Sequence, residues 1–113
     1  MSEETNQKNE ATEQENNEQE QNSYPLPSNA TLEHSAKLSI CKDKPIMLDY
    51  WTASCDKTVL IGVRENQEKL LVKSEDEYTS PIETIFGSGA EYIIVTENSI
   101  YLVQSSIDTK IIL

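Results

Sequence analysis

The sequence predicts an all-β fold: a small antiparallel meander forming an SH3-like barrel or sandwich, preceded by a disordered acidic tail. Three observations carry that prediction. Charge is unevenly placed, apolar residues come in short alternating runs, and polar turn signals separate those runs. The chain has 113 residues and a formal net charge of −11. Residues 1–34 hold eight acidic residues against Lys8, while residues 35–113 hold twelve against eight basic ones. A third of the chain thus carries most of the charge. We therefore divide it into a tail and linker over 1–34 and a β domain over 35–113.

From Met1 to Asn22 the only apolar side chains are Met1 and Ala11. Such a segment cannot bury enough surface to offset its ordering entropy, so it reads as a solvating tail. An acidic interaction arm is the alternative. Tyr24-Pro25-Leu26-Pro27 follows, and alternate prolines favour extended polyproline II geometry, as a stiff linker or a docking motif. Asn29 is placed to cap a short helix running to about Lys37. The opening stretch, MSEETNQKNE, lacks the basic and apolar regions of a secretory signal. No run approaches the roughly 18 apolar residues of a membrane span. Together these predict a cytoplasmic protein that does not enter a membrane.

The remaining elements read as strands. Leu38–Cys41 is a short apolar stretch. After Pro45, Ile46–Trp51 alternates, with Ile46, Leu48 and Tyr50 on one face. Thr58–Arg64 and Lys69–Lys73 flank the polar turn 65–68 and read as a hairpin. Gly62 within the first of these marks a bulge or a close backbone approach. Ser74–Glu77 reads as a solvated loop. Pro81 puts the strand of Thr79–Phe86 at an edge, or starts it after the proline. Gly87-Ser88-Gly89 is a turn. Glu91–Thr96 and Ser99–Val103 flank Glu97-Asn98 in the strongest hairpin of the chain, with one fully aliphatic face directed inward. Ile111–Leu113 adds a last short strand. A core of this size predicts that Leu60→Asp or Ile94→Asp unfolds the domain.

Catalytic chemistry is sparse. The one histidine, His34, lies at the boundary between tail and domain, with no partner to make a nucleophile pair. Cys41 and Cys55 form no CxxC motif and cannot complete a zinc set with one histidine, so they read as free, buried thiols. No phosphate-cradling glycine motif and no GxSxG occurs. The carboxylates Glu75, Asp76 and Glu77 lack calcium-loop spacing. No cofactor, no metal and no enzymatic activity are expected.

Binding residues are more visible. Tyr50 and Trp51 are adjacent, so on a strand they face opposite sides and one reaches a surface; aromatic residues of this kind anchor interfaces. Arg64 and Lys73, with Lys69, form a small basic patch on the first hairpin. Tyr78 and Thr79 flank an edge that can accept a partner strand. Tyr101 in the last hairpin is a further aromatic contact. The acidic balance weighs against direct nucleic acid binding.

The run Thr79-Ser80-Pro81-Ile82, with Ile94-Val95-Thr96-Glu97-Asn98-Ser99-Ile100-Tyr101, resembles small uncharacterised β proteins encoded by phages and large DNA viruses. The resemblance covers about 25 residues. It implies a viral accessory protein in the host cytoplasm, either a host-directed inhibitor or a virion component. The expected function is a non-enzymatic binding module that docks on a host or viral protein. The alternatives are a structural component assembling as a homo-oligomer through strand pairing, and a small-ligand or nucleotide-binding barrel using Arg64 or Lys73.

Overall fold

The computed structural model describes residues 24–112. The disordered tail expected over 1–22 lies outside the described residues. Within them the chain is mostly β, with two sheets of four strands and little helix.

The first element is a helix, α1 (Asn29–Lys42). Its cap is Ser28, one residue before the expected Asn29; the Ser28 side chain accepts from the Thr31 N–H at 3.2 Å. The helix ends at Asp43, which adopts the left-handed conformation (φ 54°), and Pro45 prevents its continuation. It absorbs Leu38–Cys41 and crosses the expected boundary at residue 34, with Thr31 and Ser35 both buried. A buried carboxylate pins its start. Glu91 accepts from the Ser28 N–H and Ser28 Oγ at 3.2 and 3.0 Å, and from Thr31 Oγ1. Three donors at a helix N-terminus, where the helix dipole favours negative charge, make this burial tolerable.

The expected strand Ile46–Trp51 breaks in two. Only β1 (Ile46–Met47) is extended, and Trp51 opens a short helix, α2 (Trp51–Cys55), with Tyr50 at its cap. The apolar alternation was therefore misleading, because Leu48–Tyr50 turns rather than extends. There follow β2 (Leu60–Val63), β3 (Lys69–Ser74) and β4 (Glu77–Tyr78), then β5 (Ile82–Ser88), β6 (Glu91–Thr96), β7 (Ile100–Gln104) and β8 (Asp108–Ile111).

Sheet A has the order β1-β7-β6-β5 and sheet B the order β4-β3-β2-β8. Both expected hairpins are present, as antiparallel β2–β3 and β6–β7 pairs. β5 begins after Pro81 and lies at an edge. The turn expected at Gly87-Ser88-Gly89 comes later, at Gly89-Ala90, where Gly89 has φ 62°. The loop expected at 74–77 shortens to a turn at Glu75-Asp76 between β3 and β4. The chain is not a plain meander: β1 pairs parallel with β7, and β8 pairs parallel with β2. These two long-range parallel pairs leave the strands in two sheets rather than one closed barrel.

Sheet A is the middle layer. On one side Ile94 and Val103 share a cluster with Ile61 and Leu71 of sheet B and with Tyr50, Val59 and Ile107. On the other side Ile93, Val95, Ile100 and Leu102 pack with Trp51 and with Leu32 and Leu38 of α1. The β6–β7 hairpin is therefore aliphatic on both faces, not one. Trp51 is closed over by the residues before α1, its indole N–H donating to the Pro25 carbonyl at 2.8 Å. The Tyr24 hydroxyl donates to Asp56 at 2.6 Å.

Candidate functional site

Sheet B differs from sheet A in leaving its outer face uncovered among the described residues. Directly opposed residues share a face, so the pairs Leu60↔Val72 and Gly62↔Leu70 project outward, away from the cluster that holds Ile61 and Leu71. Val72 is in turn opposite Tyr78 of β4. These residues, with Ile112, floor a groove of about 690 Å³ whose rim carries Arg64, Lys73 and Glu75.

Gly62 makes room for the groove floor. A Cβ at that position would lie 2.7 Å from Cδ1 of Ile112 and 3.0 Å from Cγ2 of Val72. Without a side chain there, Ile112 lies across β2 and Leu70 sinks to 2 % exposure. The expected close backbone approach is thus met by side chains on either side. Tyr78 stands at the other end, 52 % exposed.

The charges at the rim are paired. Arg64 Nη1 lies 3.7 Å from Glu68, and Lys73 Nζ lies 3.2 Å from Glu77. Lys73 also sits 4.9 Å from the centroid of the Tyr50 ring, which meets Tyr101 edge-on at 5.1 Å. Burial, with a lesser effect from Glu77, pushes the Tyr50 hydroxyl up to about 12. Burial, and then Asp49, raise the Tyr101 hydroxyl as well.

Of the residues singled out from sequence, Arg64, Lys73 and Tyr78 come together on this groove. Tyr50 and Trp51 do not. Both are buried, because they sit at the start of α2 and the strand alternation that would expose one of them does not apply. Tyr101 is half-buried against Tyr50. Thr79 is not a free edge either. It is buried: its N–H donates to the Leu71 carbonyl, its Oγ1 accepts from the Leu71 N–H at 3.1 Å, and its hydroxyl donates to the Ser80 carbonyl at 2.8 Å. The groove floor was missed. Its signal was the doubled apolar character of Leu60-Ile61 and Leu70-Leu71, which gives a two-sided strand an apolar outer face.

No histidine or cysteine lines the groove. His34 packs instead on Phe86, with ring centroids 5.3 Å apart. Both thiols are free, and Cys41 is exposed where burial was expected. Among the described residues, no cluster of histidine, cysteine or carboxylate side chains has the grouping needed to hold a metal ion, and no helix is long and apolar enough to cross a membrane. The chain matches no family model, no curated protein and no solved structure.

Proposed function

We propose that this protein is a non-enzymatic binding module that docks a protein partner on the outer face of sheet B. The observation carrying this reading is the groove itself, an apolar floor of Leu60, Leu70, Val72 and Ile112 left open on a sheet whose other face is core. A contiguous apolar surface of this kind is kept where something covers it. Tyr78 supplies an amphipathic ring at one end, and Arg64 supplies a donor for orientation. In keeping with the viral resemblance, the partner is a host or viral protein, bound in the cytoplasm.

The test compares partner recovery by the full chain and by Val72→Lys and Tyr78→Ala variants, with Ile40→Ser as a control far along the chain on α1. Loss of one specific partner with the two groove variants, and its retention by the control, supports the reading. Equal recovery by folded groove variants removes the groove from the account. Trp51→Ala is unsuited to this purpose, because Trp51 belongs to the core.

A further inference from the structure

The outer edge of β8 is, among the described residues, a further unpaired feature of sheet B. Among the described residues β8 has one strand neighbour, β2, and all four of its residues are exposed. Ile111 is 79 % exposed. The Ile112 N–H donates to the Val63 carbonyl, which sets the parity of the parallel ladder. The amides of Asp108, Lys110 and Ile112 turn toward β2, and those of Thr109 and Ile111 turn away from it.

This parity limits how an added strand can pair. An antiparallel copy of β8 must meet the outward groups of Thr109 and Ile111 with outward groups of its own, so odd residues face odd residues. Charge then selects among the allowed registers. Asp108 and Lys110 lie on the same face of β8, opposite Leu60 and Gly62 of β2. Centring the pair on Lys110 opposes two lysines, and centring it on Asp108 opposes two aspartates. Centring it on Thr109 places Asp108 opposite Lys110 twice, at the closely spaced non-hydrogen-bonded positions. It also puts Thr109 opposite Thr109 and the exposed Ile111 beside Ile107.

We propose that β8 is a self-complementary edge that pairs antiparallel with β8 of a second copy of this chain, in register about Thr109. The two sheets B then join into one eight-stranded sheet. Because the two-fold axis is perpendicular to that sheet, both grooves open on the same side and form a bivalent surface. The inference stands apart from the identity of whatever fills the groove. A four-residue edge covers less than the roughly 1,200 Å² of a standard stable interface, so the dimer forms only at high concentration.

Sedimentation velocity of the full chain from micromolar to millimolar concentration tests this. A monomer–dimer equilibrium is expected. Thr109→Pro removes the outward N–H without taking a bond from β2 and weakens association on the order of tenfold or more. Asp108→Lys weakens it as well, by opposing lysine to lysine. The double exchange Asp108→Lys with Lys110→Asp restores unlike pairs and recovers the dimer. A strict monomer at millimolar concentration overturns the proposal. So does a dimer that survives Thr109→Pro in a folded protein, or a double exchange that fails to rescue the single one.

Discussion

Sheets A and B have four strands each, yet sheet A is core on both faces and sheet B on one among the described residues. Sheet A is covered on both sides, by α1 and α2 on one face and by sheet B on the other. Among the described residues sheet B is covered on its inner side only, and Leu60, Val72 and Ile112 line an open groove. The difference teaches that apolar side chains here do two jobs with one vocabulary. In β6 and β7 they hold the fold, and in β2 and β3 the outward half of them lines an open groove.

The contrast breaks first at Ile94. This residue is fully buried between the sheets, so Ile94→Asp places a charge with no partner in the core. It is expected to leave no cooperative unfolding transition in urea. Trp51→Ala comes next. It leaves a cavity and strips the Pro25 carbonyl of its donor, at a cost of about 3–5 kcal/mol read from the urea midpoint.

Alkaline pH probes the seam between the sheets. The neutral Tyr50 hydroxyl is favoured in the folded state, where burial raises its pKa from the ordinary 10.0 to about 12. The stability it contributes is complete below pH 10 and is lost as pH rises toward 12. The expected loss is on the order of 2 kcal/mol, and Tyr50→Phe removes that part of the pH dependence.

Sheet B gives the small effects. Leu60→Asp was expected from sequence to match Ile94→Asp. The structure places Leu60 half-buried on the groove floor, where a carboxylate reaches water, so the cost falls to about 1–2 kcal/mol. Tyr78→Ala shifts the midpoint by less than about 0.5 kcal/mol, because exposed side chains contribute little. Equal sensitivity of Leu60 and Ile94 would abolish the distinction between the sheets.

Local rules made much of this fold legible. The polar breaks at 65–68 and 97–98 mark the two antiparallel hairpins, since a turn and its flanking strands are set by neighbours in sequence. Pro81 marks the start of an edge strand for the same reason. Rules of periodicity failed where two structures share a pattern. Ile46–Trp51 alternates like a strand, yet Tyr50 and Trp51 enter a helix and leave the surface. Residues 29–42 carry no apolar stripe that announces a helix. The burial of Glu91 against Ser28 and Thr31, and of Leu32 and Leu38 against sheet A, provides what local propensity does not. Of the site, Arg64, Lys73 and Tyr78 were legible as polar or aromatic residues near turns. The floor was not, because Leu60 and Leu70 are indistinguishable from core residues until the opposite layer is known to be missing.

The amino-acid sequence by itself determined the β class and the two hairpins. These follow from residue type and short spacing. Only the tertiary structure decided that β1 lies parallel to β7 and β8 parallel to β2, that α1 covers sheet A, and that sheet B keeps a face open among the described residues. Those are contacts between residues tens of positions apart, settled by which apolar surfaces find each other first and best. No spacing along the chain encodes which face will be left without a partner.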